Sequence, residues 1–185
     1  MKNIILASKS PRRKDLLELL DLNFTVEVPE VDEVFPESLD VTKVAEYLAN
    51  LKADAFTNIP TDTVVITADT IVILDEQILG KPKDKAEAIK MLKTLSNRSH
   101  KVITGVCIKS KDKTVSFSNT TKVFFKELSS SEIEYYIENY KPFDKAGSYG
   151  IQEWIGAIGI TKIEGSYFNV VGLPIQELNE RLVSD

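Results

Sequence analysis

Near its N-terminus the sequence has the stretch Ile4-Ile-Leu-Ala-Ser-Lys-Ser-Pro-Arg-Arg-Lys14, a short apolar run followed by a polar turn and a basic segment. The apolar residues 4–7 predict a buried strand. Ser10 is typical of a helix N-cap and Pro11 of the first helical residue, so we expect a helix over residues 11–20. A strand that turns directly into a helix is a building block of α/β proteins, and it favours that fold class.

Outward from this stretch, apolar periodicity predicts further helices and strands. Helices are expected over residues 40–56, after Asp84 with Glu87, from Ser129 with Glu132 to about residue 139, and after Pro174. Strands are expected at residues 24–28, 64–67, 71–74, 101–109, 114–125, 155–163 and 168–171. Because hairpin-like strand pairs accompany helix-connected strands, the pattern predicts an α/β fold with a mixed β-sheet and flanking helices.

Composition limits the domain count and the compartment. The chain has 185 residues, 43% of them hydrophobic and 28% charged. No linker-like segment interrupts it, so we expect one domain over residues 1–185. A chain of this size can bury about 70% of its unfolded surface without disulfides. The one cysteine, Cys107, lies in an apolar run and is expected to be a buried, reduced thiol.

Charge and hydropathy exclude several classes of protein. The four apolar residues 4–7 are too few for a signal-peptide core or a membrane span, so a cytoplasmic location is expected. A net charge of −5 argues against a nucleic-acid polymer or an acidic membrane as partner, because such partners require a positive surface. Positive charge is concentrated only between Lys9 and Lys14.

That cluster predicts an anion site. Unpaired N–H groups at the start of a helix attract anions, and the guanidinium groups of Arg12 and Arg13 can each clamp phosphate oxygens with two hydrogen bonds. Ser8 lies in the same turn. A basic first turn that is merely solvated is the alternative, but positive side chains there oppose the helix dipole and usually have an external partner.

Asp69-Thr70 lies between two apolar strand halves. A carboxylate there is costly unless it meets a cation, a metal ion or hydrogen-bond donors. Asp69 can therefore activate water or hold a divalent ion, although an Asp that bonds the backbone at a strand kink is the alternative. Lys81 and Lys52 carry little information alone. Of the acidic residues after the second strand, Glu33 can be a metal ligand, because magnesium needs only one or two carboxylates besides phosphates.

Two glycine-rich segments, residues 145–152 and 165–174, also favour ligand binding. Glycine lets the backbone approach a ligand, and the Gln152 amide can both donate to and accept from the edge of a base. The same glycines can instead serve turns and bulges. His100, the one histidine, is interpreted as a residue at the start of a strand.

Taken in order, these motifs resemble those of the Maf proteins, nucleotide pyrophosphatases that are structurally related to the inosine-triphosphate pyrophosphatases. The resemblance covers nearly the whole chain and implies an elongated, two-lobed fold with a central cleft, a homodimer, a divalent cation (Mg²⁺ or Mn²⁺) and a house-cleaning role in nucleotide metabolism. The matching stretches are Leu6-Ala-Ser-Lys-Ser-Pro-Arg-Arg13, Ala68-Asp-Thr70, Gly80-Lys-Pro82, and residues 144–152 and 165–174.

The resemblance also implies a reaction and residue roles. A nucleoside triphosphate would be cleaved to the monophosphate and pyrophosphate, with Asp69 as proton acceptor and as metal ligand beside Glu33. Arg12, Thr70 and Gln152 resemble the subgroup that hydrolyses dTTP and UTP, and an uncharged amide suits a uracil or thymine edge. The nucleotide would be surrounded by Ser8, Arg12, Arg13, Lys52, Thr70, Lys81 and Gln152.

Two positions depart from the family pattern, and two other functions stay open. Lys9 stands where a small residue is common, and Glu153-Trp154 replaces a glycine-rich continuation after Gln152, which affects the expected width of the base pocket. The first alternative is hydrolysis of 7-methyl-GTP or another modified nucleotide. The second is a nucleotide-binding regulator of cell division in which hydrolysis is incidental.

Overall fold

A computed structural model describes residues 2–183 of the chain, and within them it has the expected α/β composition. The strands are β1 (Asn3–Leu6), β2 (Phe24–Val26), β3 (Thr63–Leu74), β4 (Gln77–Leu79), β5 (Ser99–Lys109), β6 (Thr114–Phe125) and β7 (Ile160–Glu164). The α-helices are α1 (Pro11–Glu18), α2 (Val44–Asp54), α3 (Lys85–Leu95), α4 (Ser130–Tyr140), α5 (Trp154–Gly159), α6 (Tyr167–Val171) and α7 (Ile175–Val183). Short 3-10 helices lie at Val41–Lys43 and Ala146–Ser148.

The strands form a seven-stranded mixed sheet. Its order is β2-β1-β3-β5-β6-β7, with β4 paired to β3. β1 runs parallel to both of its neighbours, with Ile4 opposite Phe24 and Val64. β4 is antiparallel to β3, and β7 is antiparallel to β6. The prediction of a mixed sheet with flanking helices is therefore confirmed.

The described chain divides into two compact units. The first comprises residues 2–70, 104–119 and 172–183, and the second comprises residues 71–103 and 120–171. The expectation of one domain over residues 1–185 stays a prediction.

In the first unit, α2 packs closely on β5. A Cβ atom at Gly105 would overlap the backbone of Ala45 and Glu46, so the helix approaches the strand at a glycine. Ala49 and Ala53 continue this face and enclose Cys107, which is fully buried as expected. The buried residues of α2 include three alanines, Ala45, Ala49 and Ala53, because only small side chains fit where the helix lies this close to the strand.

In the core of the second unit, α3 and α4 pack against β3, β5 and β6. Its centre is aromatic: His100, just after the start of β5, stacks on Phe125 with 5.7 Å between ring centroids and meets the edge of Tyr149 at 5.4 Å. Ser129 and Glu132 form the expected capping box at the start of α4. Asp84 caps α3 as expected, but the Glu87 carboxylate accepts from the N–H of Lys83 rather than from that of Asp84.

The strand predictions near the C-terminus were partly wrong. Residues 155–159 belong to α5, β7 begins only at Ile160, and residues 168–171 belong to α6. At Gly156 a Cβ atom would overlap the carbonyl of Ile151, a close turn that only glycine permits. At α6 the buried Asn169 amide donates to the Val102 carbonyl at 3.1 Å, a tertiary contact that a short apolar run does not reveal.

Candidate active site

The turn before α1 has the N-cap geometry expected from the sequence. Ser10 is the N-cap, its hydroxyl accepts the N–H of Arg13 at 3.4 Å, and Pro11 is the first helical residue. The hydroxyl of Ser8 accepts the N–H of Ser10 at 3.2 Å. Positive charge and N–H groups therefore lie where a strand turns into a helix.

Arg13 connects this turn to two other parts of the first unit. Its Nε donates to the carbonyl of Gly172 at 2.8 Å, and its two terminal nitrogens donate to the hydroxyls of Thr70 at 3.0 Å and Ser8 at 3.4 Å. Gly172 has φ of +138°, a conformation that favours glycine. Each guanidinium nitrogen of Arg13 thus has a protein acceptor, and the three bonds tie the start of α1 to Ser8, to Thr70 and to the Gly172 backbone.

The pKa of Arg13 reflects its burial and the charged groups around it. Burial lowers the pKa of Arg13, and the nearby positive charge of Arg12 acts in the same direction, whereas Asp69 and Glu33 raise it. Arg12 follows Pro11 on the first turn of α1 and is half-buried.

Asp69 lies within β3 and is 8% exposed. Its Oδ1 accepts from the Nζ of Lys52 at 2.6 Å, and the same Nζ lies 3.4 Å from the Ala68 carbonyl and 3.3 Å from Oε1 of Glu33. Lys52 is in the last turn of α2, whose close packing on β5 determines where its side chain can reach. The buried carboxylate thus has the cation that its burial requires.

Glu33 and Asp69 therefore converge on one ammonium group. Two carboxylates are the protein ligands that a magnesium ion needs when phosphate oxygens and water complete its shell. Within residues 2–183 no group of three or more His, Cys, Asp or Glu side chains is placed to hold a metal by itself. Glu33 and Asp69 therefore fit a divalent metal ion that binds together with a phosphorylated ligand.

The hydroxyl of Thr70 contacts several groups of the site. Its Oγ1 accepts from Arg13, lies 2.9 Å from the hydroxyl of Thr104 and lies 3.4 Å from the Gly172 carbonyl. Thr104 is fully buried on β5 and was not among the predicted site residues. A signal was available, since Thr104 precedes a glycine inside a β-branched run, a sign of close backbone approach.

The second unit contains the remaining two predicted residues. Lys81 is exposed and follows β4, and the neighbouring Gly80 accepts from the N–H of Gly147 at 3.1 Å. Gln152 is exposed in the turn before α5. In the part of the chain that the structure describes, no protein group hydrogen-bonds to the Gln152 carboxamide, so both its donor and its acceptor are available to a ligand.

His100 lies outside both groups of residues. It is 3% exposed, and burial lowers its pKa from 6.5 to about 4. Its Nε2 lies 2.5 Å from the hydroxyl of Tyr149. His100 is therefore a neutral core residue at the start of β5, as the sequence indicated.

Comparison with known proteins gives matches along nearly the whole chain. The family model described as Maf-like protein matches residues 3–184 and confirms the resemblance inferred from the motifs. A relative from Flavobacterium psychrophilum, named dTTP/UTP pyrophosphatase, is 53% identical over 176 residues, covering 95% of this chain and 90% of that protein. A Porphyromonas gingivalis protein of the same name is 52% identical over 183 residues, covering 97% and 92%.

Solved structures give a partial likeness. The Ham1 protein of Staphylococcus aureus has a TM-score of 0.49 and 19% identity over 67% of this chain and 72% of that chain. A HAM1 protein from Coxiella burnetii has a TM-score of 0.44 and 17% identity over 68% and 73%. Separately, none of the helices in residues 2–183 has the length and apolar character needed to span a bilayer.

Proposed function

Because the chain belongs to the family of Maf-like proteins, we propose that it hydrolyses dTTP and UTP to the monophosphate and pyrophosphate. Relatives that are 52–53% identical have the name dTTP/UTP pyrophosphatase. The observation that carries the proposal is the buried Asp69 carboxylate, 2.6 Å from Lys52 and with Glu33 on the same ammonium group. Such a group is suited to accept a proton from water.

In the proposed reaction, Asp69 accepts a proton as a water molecule attacks the α-phosphorus. A bond forms between the water oxygen and phosphorus, the bond from phosphorus to the bridging oxygen breaks, and its electron pair leaves with pyrophosphate. Lys52 holds the carboxylate in one orientation, because its Nζ also contacts the Ala68 carbonyl on the same strand. Orientation of the base and charge stabilisation are the main contributions a protein makes to such a transfer.

Glu33 and Asp69 would hold Mg²⁺ or Mn²⁺ together with the phosphates. When bound, the ion supplies positive charge that offsets the charge developing on the phosphate oxygens. Lys52 contacts both carboxylates, and its positive charge offsets the repulsion between them.

The remaining predicted residues would bind the nucleotide. The phosphates would lie against Arg12 and the turn that contains Ser8. Arg13 would hold that turn in place, and Lys81 would add a further positive charge. Gln152 would pair with the base, since its carboxamide matches the N–H and carbonyl pattern of uracil and thymine. Thr70 joins Arg13 to β3, which supports a role in specificity through the position of Arg13. A homodimer stays a prediction of the resemblance, and a cytoplasmic location stays a prediction of the sequence.

The test is pyrophosphate release from dTTP, UTP, CTP, GTP, 7-methyl-GTP and ITP, with Mg²⁺ or Mn²⁺. The variants are Asp69→Asn and, as a control with the same change of charge, Asp112→Asn in the exposed β5–β6 turn. We expect hydrolysis of dTTP and UTP that Asp69→Asn abolishes and Asp112→Asn preserves. Preference for 7-methyl-GTP would select the first alternative, and inactivity with retained nucleotide binding would select the regulator.

A further inference from the structure

A buried tyrosine ties α4 to the turn that contains Gln152. Tyr136 has no exposed surface, yet its hydroxyl makes two hydrogen bonds. It accepts the N–H of Gly150 at 3.0 Å and lies 3.0 Å from Oε1 of Glu153, to which it donates. One hydroxyl therefore holds the residues two before and one after Gln152.

Glu153 extends this connection to a lysine. The Nζ of Lys145 lies 3.3 Å from Oε1 of Glu153, and only 12% of the lysine side chain is exposed. Glu153 is the N-cap residue of α5, but its side chain makes no capping bond to that helix. The carboxylate is instead turned toward Tyr136 and Lys145, so its orientation is explained by these two contacts.

Gly150 makes the arrangement possible. A Cβ atom there would lie 2.6 Å from Oε1 of Glu153, 3.0 Å from Cε of Lys145 and 3.2 Å from Nε2 of Gln152. The Gln152 amide thus lies directly over Gly150, beside the carboxylate that Tyr136 holds. Ile151 and Trp154 pack against the core of the second unit, which leaves Gln152 as the exposed member of an anchored turn.

We propose that Tyr136, Glu153 and Lys145 are positioning residues that fix the turn on both sides of Gln152, so that selectivity for dTTP and UTP depends on the buried Tyr136 hydroxyl. The inference rests on the proposed function of Gln152 as the group that reads the base. Glu153 lies where the family pattern has a glycine-rich continuation, and its carboxylate here links Tyr136 to Lys145 beside Gln152. Selectivity built on a hydrogen-bonding amide requires that the amide be held in one orientation.

The first test compares Tyr136→Phe with Tyr135→Phe, the same change at the adjacent, exposed tyrosine of α4. Loss of the buried hydroxyl leaves the Gly150 N–H without its acceptor and leaves Oε1 of Glu153 with Lys145 as its partner. We expect the ratio of kcat/KM for dTTP and UTP over CTP to fall about tenfold in Tyr136→Phe, as one lost hydrogen bond predicts. Tyr135→Phe should leave the ratio unchanged.

A double-mutant cycle separates positioning from general destabilisation. In a Gln152→Ala background, Tyr136→Phe should cause no further loss of selectivity, because its effect acts through Gln152. Amide hydrogen exchange of Gly150 should accelerate about tenfold in Tyr136→Phe and stay unchanged in Tyr135→Phe. If Tyr136→Phe does not fold, Glu153→Gln tests the same contact, with a loss of selectivity again expected.

The outcomes distinguish this inference from the proposed function. Wild-type activity on dTTP and UTP with unchanged selectivity in Tyr136→Phe or Glu153→Gln would overturn this inference alone. An equal loss of selectivity from Tyr136→Phe with and without Gln152 would also overturn it. Wild-type inactivity on dTTP and UTP would overturn the proposed function, and this inference with it.

Discussion

Lys52 shows how much the burial of an ion pair matters. Its bond to Asp69 has the same 2.6 Å length as the bond between Lys85 and Glu138, but the first pair has side chains 12% exposed and the second has side chains 50% and 60% exposed. Removing one partner of a buried pair leaves a desolvated charge, whereas water replaces the partner of an exposed one.

We therefore expect Lys52→Gln to lower the free energy of unfolding by about 2 kcal/mol. The matched control Lys85→Gln should change it by less than about 0.5 kcal/mol. Urea denaturation with far-UV circular dichroism measures both. Adding Asp69→Asn to Lys52→Gln should restore part of the loss, since the unpaired carboxylate is then gone. Equal effects of the two lysine substitutions would contradict the assignment of Lys52 to a buried pair.

His100 predicts a pH dependence of stability. Burial lowers its pKa to about 4 from the ordinary 6.5, so the unfolded state binds a proton more readily than the folded state. Stability from this residue is complete above pH 6.5 and is lost as the pH falls toward 4. Between pH 7 and pH 5 the loss is about 2 kcal/mol.

The check is urea denaturation at the two pH values in wild type and His100→Gln. The variant should have a smaller decrease in unfolding free energy, because glutamine does not titrate and retains a polar partner for Tyr149. Identical pH dependence in both proteins would show that His100 does not contribute.

The contact between α2 and β5 is the element on which the position of Lys52 depends. A methyl group at Gly105 would overlap the helix backbone. We expect Gly105→Ala to lower the free energy of unfolding by about 2 kcal/mol and to reduce hydrolysis in the proposed reaction, since α2 must move. Gly80→Ala is the stability control, because nothing lies within 4 Å of a Cβ atom there. Native-like stability of Gly105→Ala would mean that the helix can shift at little cost.

Structural features were predictable from the sequence where they depend on residues that are close together in the chain. The Ser10 and Ser129 caps follow from short-range chemistry and were predicted. The helix at Trp154–Gly159 was mistaken for a strand because its apolar residues fit either structure, and the deciding contact of Gly156 with Ile151 is set by the turn itself. In the sequence, nothing distinguishes Lys52 from a solvent-exposed helix lysine. Its bond to Asp69 depends on the packing of α2 against β3, which is a tertiary contact.

At the scale of the whole molecule, the single domain predicted for residues 1–185 can be tested by unfolding. Trp154, the one tryptophan, packs in the core of the second unit, whereas circular dichroism reports on helices of both units. We expect the urea midpoints from tryptophan fluorescence and far-UV circular dichroism to coincide, as cooperative unfolding of one domain requires. Two separated midpoints would instead show that the units unfold independently.

The enclosed thiol of Cys107 makes the natural chain a convenient background for site-directed labelling. It has no exposed surface, and burial raises its pKa, so thiol reagents should react slowly with the native protein. An attached dye or spin label would then report almost entirely on a cysteine introduced elsewhere. Conversely, the rate at which a reagent modifies Cys107 itself would measure how often α2 opens away from β5. Because α2 contains Lys52, this rate reports on the helix that positions the lysine.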